Sequence, residues 1–301
     1  MKILSISTQK PHSTGSGVYL TELVKSFDRA GHEQAVVAGV YKEDMFEFPE
    51  AVSTYPVYYS HGDSIGELPY EVLGMSDVMP YPSTLYNSLT EDMTDMLYSA
   101  FGKAIGKAIN DLNPDVILCH HLFLLTSMLP VIVKEFAADS FHGKIYGISH
   151  GSDLRQFQNC PFRRNAVIDG MRQLDGIFAL HDEQKVQIGE LYGISDDKIN
   201  VIGTGYNSQI FKMDEDTDMP QSAGPYKIIY AGKLSTAKGI FPLVEALTEL
   251  DKDSEIPAFE LLLAGGCQEE GIARLLSGKP ALRAGDTGEL AALPFKASYL
   301  G

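Results

Sequence analysis

Positive charge is scarce in this 301-residue sequence: 24 Lys and Arg stand against 40 Asp and Glu, a net charge of -16. A chain this acidic is a poor ligand for duplex nucleic acid, where phosphate contacts need a basic surface. It is equally poorly suited to anionic lipid, so membrane contact is expected to be peripheral at most. Cysteine is sparse too. Cys119, Cys160 and Cys267 lie far apart, with no metal-ligand spacing and no even disulfide framework, which points to a reducing compartment. No apolar run approaches the roughly 20 residues that span a bilayer, and Met1–Ser7 turns polar too soon for a signal peptide. The expected location is the cytoplasm. Tandem repeats, low-complexity tracts, a G-x-S-x-G elbow, a P-loop and a zinc-protease motif are all missing. There is no complete G-x-G-x-x-G and no acidic residue placed for a nicotinamide ribose, which disfavours a dehydrogenase.

What is present is ordinary globular composition, 44% hydrophobic and 21% charged, over a length that allows two domains with sizeable cores. Short apolar runs alternate with helical stretches. Strands are predicted at Lys2–Ser7, Gln34–Val40, Asp115–Cys119, Lys144–Ser149, Gly176–Leu180 and Lys198–Ile202. Helices are predicted at Val18–Ala30, Glu91–Leu112, Phe162–Leu174 and Asp182–Tyr192, the last capped by Asp182 and stopped near Gly193. Runs of this kind suit a parallel sheet covered by helices on both faces. Tyr41–Leu89, rich in Tyr, Pro, Met and acidic residues, is too long for a plain connector. It reads equally as a functional loop or lid and as a surface excursion. Met213–Pro225 is acidic with Pro and Gly, a linker composition. The pattern then restarts with strand Lys227–Ala231, helix Gly239–Leu250, strand Phe259–Ala264, helix Glu269–Ser277 and strand Ser298–Leu300. The expected organisation is an amino-terminal Rossmann-like domain over residues 1–212, a linker over 213–225 and a partial Rossmann-like domain over 226–301.

Two β-to-α turns carry anion-binding chemistry. Ser13-Thr14-Gly15-Ser16-Gly17 follows the first strand, and a helix predicted from Val18 adds the positive end of its dipole. Gly232-Lys233-Leu234-Ser235-Thr236-Ala237-Lys238-Gly239 follows the strand Lys227–Ala231, with two ammonium groups beside a helix start. Together they predict two doubly wound halves that share a phosphorylated ligand. The bland alternatives are a flexible turn and solvated lysines. His150 opens His150-Gly151-Ser152-Asp153 after a strand, where parallel sheets place ligand-facing groups. His120 and His121 end another strand. Alternation along an extended segment sends them to opposite sides, so one is expected in the cleft and the other in a structural role. Arg155, Arg163, Arg164 and Arg172 form a basic cluster. It would suit an anionic acceptor, but ion pairing with the abundant carboxylates is the preferred reading.

In order along the chain, Gly15-Ser16-Gly17, His150-Gly151-Ser152-Asp153, Lys198-Ile199-Asn200-Val201-Ile202-Gly203-Thr204-Gly205 and Gly232-Lys233 through Lys238-Gly239 resemble the retaining glycosyltransferases of family 4, which have the GT-B fold. The resemblance covers nearly the whole chain. It implies transfer of a sugar, with retention, from a nucleoside-diphosphate sugar to a sugar or lipid-linked acceptor, without metal or cofactor. It places Gly15, Gly17, Lys233 and Lys238 on the donor diphosphate and His150 beside the transferred sugar as the catalytic-site residue. His120, Asp153, Arg155, Arg163 and Arg164 are left on the acceptor side. No protein nucleophile is implied, because the family's favoured proposal has the leaving phosphate assist the acceptor. Lysine at 233, where the family usually has arginine, keeps the charge and loses the bidentate fork.

The family's glutamate pair, seven residues apart and well beyond the Lys-Gly turn, has no counterpart before Gly301. The second domain holds about half of the roughly 150 residues that a doubly wound domain needs. Its strand order should leave the first strand unpaired on one side. The expectation is a fragment, a truncated product or a half completed by another chain, including a second copy of itself. A non-catalytic binding protein that has lost the donor site is the main rival, and a nucleotide-sugar epimerase is a weaker one, since no acid/base carboxylate pair stands out.

Overall fold

The computed structural model describes every residue except 77–78, 138–139, 213–224, 268 and 283–285. The chain divides into two compact units, Met1–Lys212 and Met213–Gly301. The predicted linker, apart from Pro225, lies outside the described residues.

The first unit runs β1 (Lys2–Ser7), α1 (Gly15–Arg29), β2 (Glu33–Val40), β3 (Ser53–Tyr58), β4 (Leu73–Gly74), β5 (Thr84–Leu85), α2 (Glu91–Leu112), β6 (Val116–His120), α3 (Leu124–Phe136), β7 (Lys144–Ile148), α4 (Ser152–Asn159), α5 (Arg164–Arg172), β8 (Gly176–Ala179), α6 (Asp182–Tyr192) and β9 (Ile199–Val201). Seven strands form one sheet in the order β3-β2-β1-β6-β7-β8-β9, parallel throughout. Strands buried on both faces need apolar residues at successive positions, and Ile3, Leu4, Ile6 and Val36–Ala38 are all at most 1% exposed.

Helix ends explain two shifts from the sequence reading. Thr14 caps α1, its hydroxyl accepting the Gly17 N–H at 3.0 Å, so the helix starts at Gly15 and both glycines sit in its first turn. His181, not Asp182, caps α6: its Nδ1 accepts the Gln184 N–H at 3.2 Å, and Gly193 ends the helix in the left-handed region. Two helices were not legible. α3 is strongly apolar and carries Pro130 inside it. α4 is only eight residues long.

Tyr41–Leu89 is not a plain surface excursion. β3 pairs in register with β2, and Val57, Tyr59, Leu68, Val72, Leu73 and Tyr86 are at most 1% exposed within the main core. Pro56 hid this strand from the sequence reading. It is tolerated because β3 lies at the sheet edge, where a missing N–H costs no ladder bond. The segment is tied to the end of β1: Gln9 Nε2 donates to the Leu73 carbonyl at 3.2 Å, and Lys10 pairs with Asp44 at 2.5 Å.

The second unit runs β10 (Tyr226–Ala231), α7 (Ile240–Leu250), β11 (Phe259–Ala264), α8 (Glu270–Ser277), β12 (Gly288–Glu289) and β13 (Ala297–Tyr299). Its four-stranded sheet has the order β10-β11-β13-β12, with β12 antiparallel to β13. The core gathers Leu234, Ile240, Leu261, Leu263, Ile272 and Leu276, each fully buried. β10 is an edge strand, as its predicted place in the order required, and Tyr226 and Ile229 on it are 61% and 66% exposed.

Candidate functional site

In the first unit the connection direction reverses at β1. The chain passes from β1 to β2 on one side, while β6 pairs on the other. Doubly wound sheets bind ligands in the crevice at the carboxyl ends of such strands. Four structural features meet there: the amino end of α1, the β6–α3 turn with His120 and His121, the β7–α4 turn with His150, and Tyr19 from α1.

The three imidazoles form one cluster. His120 Nδ1 lies 3.0 Å from His150 Nε2, with the two rings stacked at 5.2 Å between centroids and 11° between planes. The His121 ring is 4.8 Å from His150, and Tyr19 meets the His150 ring edge-on at 5.2 Å. The expectation that His120 and His121 point to opposite sides fails for a definite reason. His121 has φ of 72°, in the left-handed region, so strand alternation stops at His120 and both rings turn toward His150. His121 Nε2 then lies 3.1 Å from the Ser16 hydroxyl in the first turn of α1. Backbone strain of this kind at a sheet end belongs to sites more often than to plain turns.

Burial sets the electrostatics. His120 and His121 are each 3% exposed. Desolvation, followed by the neighbouring imidazoles, holds both well below the usual histidine range. His150 is lowered as well, by burial against an opposing pull from Asp153. The cluster is therefore neutral near pH 7. Among the described residues, no group of three or more His, Cys, Asp or Glu side chains is arranged to hold a metal. Cys119 beneath the cluster is no nucleophile, since burial pushes its thiol up to about 12.

The resemblance leaves Asp153 on the acceptor side, and its contacts do not. It is fully buried, and both its oxygens are occupied: one accepts the Leu122 N–H at 2.7 Å, the other the Ser149 hydroxyl at 3.2 Å and the His150 N–H at 3.1 Å. It clamps the β6–α3 turn to the β7–α4 turn and so positions the histidines from below.

The two glycines of the first turn separate. A Cβ at Gly17 would stand 2.7 Å from the Lys10 carbonyl oxygen, and the Gly17 N–H is already held by Thr14, so its place is dictated by packing. Gly15 is exposed and a Cβ there would meet nothing within 4 Å. The first N–H groups of α1, from Gly15 and Ser16, have no intrahelical acceptor and lie beside the Ser16–His121 pair.

The arginine cluster is mostly spent on structure. Arg163 pairs with Glu91 and lies 3.5 Å from Asp95. Arg164 donates to the Phe157 and Gln158 carbonyls and covers the Phe157 ring, and Arg172 donates to the Tyr192 carbonyl. Arg155 is exposed. Ion pairing, the preferred reading, holds for Arg163 with Glu91 and for Arg172, which lies 3.9 Å from Asp169, whereas Arg164 is taken by backbone carbonyls.

In the second unit Lys233 and Lys238 are both exposed, on either side of buried Leu234 and Ser235. Lys238 precedes Gly239, whose φ of 79° turns the chain into α7. The Thr236 N–H and hydroxyl of this turn are not free, because the Glu269 carboxylate accepts from both. The two lysines are exposed cations of this turn.

The sequence reading missed Ser16, Tyr19 and His121 as site residues. Ser16 stood inside the quoted glycine motif, and His121 beside His120. Nothing in the sequence marked the positive φ that unites them.

No protein-family model matches the sequence, and no curated protein matches it either. Solved structures do. A sucrose-phosphate synthase from Thermosynechococcus elongatus is 16% identical with a TM-score of 0.56, over 88% of this chain and 63% of that one. TarM is 12% identical with a TM-score of 0.54, over 91% and 74%. The catalytic domain of starch synthase IV from Arabidopsis thaliana, bound to ADP and acarbose, is 13% identical with a TM-score of 0.50, over 91% and 70%. The chain thus spans a little under two thirds of the sucrose-phosphate synthase chain. At these identities the likeness defines the fold: α/β of the GT-B type, built from Rossmann-like units. No helix among the described residues is long and apolar enough to cross a membrane.

Proposed function

We propose that this chain binds a nucleoside-diphosphate sugar and belongs to the machinery of glycosyl transfer, with retention at the anomeric carbon and a sugar or lipid-linked acceptor, in the cytoplasm. The observation that carries the reading is the meeting of the α1 amino end, Ser16 and the His120–His121–His150 cluster at the switch point of a GT-B-type sheet. Neutral histidines and unpaired helix N–H groups form an array of hydrogen-bond donors suited to phosphate and sugar oxygens. Gly15 leaves open space for an anion to approach the helix end. His150 is the residue assigned to the transferred sugar, and Lys233 and Lys238 are the cations assigned to the diphosphate. No metal and no further cofactor is invoked, because helix ends and cationic side chains can stabilise a departing diphosphate by themselves. The names of the structural neighbours, two synthases that build saccharides and one bound to ADP, agree with this class of ligand.

A second reading is favoured by one observation. Glu269 fills the Thr236 donors in the β10–α7 turn, a poor arrangement for an incoming phosphate. A non-catalytic chain that keeps the first-unit site is its consequence. Calorimetry with UDP, GDP and their sugars, run beside a transfer assay, decides. Binding with turnover supports transfer, whereas no turnover with weak or absent nucleotide binding supports the second reading and removes the first.

A further inference from the structure

His120 and His121 each have one ring nitrogen engaged and the other buried without a partner: Nε2 of His120 and Nδ1 of His121. Both residues are buried and neutral, so each carries a single ring proton. That proton can sit on the engaged nitrogen or on the orphaned one. An orphaned buried N–H is rarer and costlier than an under-used acceptor lone pair. The arrangement of lower energy puts the proton on the engaged nitrogen in both cases. His120 then donates Nδ1–H to His150 Nε2, and His121 donates Nε2–H to the Ser16 hydroxyl oxygen.

The consequence falls on His150. With Nε2 accepting from His120, neutral His150 must carry its own proton on Nδ1. That nitrogen has no protein partner and is not among the buried unpaired atoms. The Ser16 oxygen accepts from His121 and also lies 3.1 Å from the Thr14 hydroxyl, so the Ser16 O–H is engaged within the turn. Asp153, the charged group nearest the cluster, is occupied by Leu122, Ser149 and the His150 backbone and takes neither proton. Tyr19 packs on the cluster with ring contacts to His120 and His150.

We infer that His120 is a positioning residue that fixes the donor polarity of the site, so that His150 Nδ1–H faces the ligand as a donor and selects oxygens that accept. This rests on the reading that a phosphorylated sugar binds here, but the polarity can be measured without any ligand.

The experiment is two-bond 1H–15N correlation of the histidine rings at pH 7.5 in the unliganded full chain, with the His150 signals assigned by their loss in His150→Gln. The expected result is a protonated Nδ1 and a bare Nε2 on His150, and the reverse on His121, assigned in the same way through His121→Gln. His120→Leu should release His150 to a mixture of tautomers. His120→Asn, which returns an N–H donor near the place of Nδ1, should restore the single form. A purely structural role for His120 would leave the His150 tautomer unmoved in the Leu variant, which overturns the inference. So does Nε2–H on His150 in the unaltered chain, a result that stands even if the Leu variant does not fold. Titration with UDP reads the ligand separately. His120→Leu should weaken it about tenfold, the scale of one lost hydrogen bond, and Asn should recover most of the loss. The expected tautomers with no response to UDP would uphold the polarity and overturn the proposed ligand.

Discussion

Asp153 offers the sharpest test of how this site is built. Its carboxylate is wholly buried and accepts from the Leu122 N–H, the Ser149 hydroxyl and the His150 N–H. Replacing it with Ala leaves two backbone N–H groups without acceptors in a site closed to water. At about 1–3 kcal/mol for each unsatisfied donor, and with part of the cost relieved by desolvating one charge fewer, the loss is about 3 kcal/mol. For a domain of this size each kcal/mol moves the melting temperature by about 2–4 °C, so Asp153→Ala should melt about 6–12 °C lower. Asp153→Asn keeps one acceptor but turns an NH2 toward a donor, and should lose about half as much. Thermal unfolding followed by circular dichroism reads the shift. Because Asp153 holds the β7–α4 turn, the His150 ring signals should move in both variants. An Ala variant that melts within about 1 °C of the parent, with His150 unmoved, would show that the clamp contributes nothing and that other contacts hold the histidines.

Four further outcomes follow from the same geometry. The three site histidines are held below their unfolded value near 6.5. Below that pH the unfolded chain binds protons that the folded chain refuses, so stability should fall as pH drops from about 7 to 5, with a slope up to about 4 kcal/mol per pH unit. A denaturant midpoint that is flat over this window would contradict the burial of neutral imidazoles. Gly17→Ala should destabilise by about 2 kcal/mol through overpacking against the Lys10 carbonyl, while Gly15→Ala should leave the melting temperature within about 2 °C and weaken UDP binding; equal effects on folding would refute the division of roles. Lys238→Ala should lower donor binding or turnover about tenfold to a thousandfold, and unchanged kinetics would remove Lys238 from the site. Glu269→Gln should tighten UDP binding if its charge competes at the β10–α7 turn, and calorimetry showing unaltered affinity would clear it of that role.

Much of the fold was readable from local pattern. α2 at Glu91–Leu112, α6 at Asp182–Tyr192 and β11 at Phe259–Ala264 stand where periodicity and end signals place them. What the pattern could not show were elements whose signal depends on their neighbours. Pro56 argues against a strand until β3 is known to lie at an edge. The continuous apolar face of α3 tells nothing until α2 and α5 are known to cover it, with Gly170 brought against the Ser127 carbonyl. Of the site, His150 and Gly15 stood out because each follows a strand in a glycine-bearing turn. Gly17, Asp153 and Arg163 matched the same motifs and cluster, but their contacts give them structural work.

Local sequence by itself determined the alternation of apolar strands and amphipathic helices, and with it the parallel α/β class, because side-chain periodicity and helix capping act over a few residues. Only the tertiary structure decided which polar groups share the site. The left-handed turn at His121, the crossover that sets β6 beside β1 and the buried carboxylate beneath them are non-local. Ser16 and His121 are 105 residues apart, and no short-range rule could have joined them.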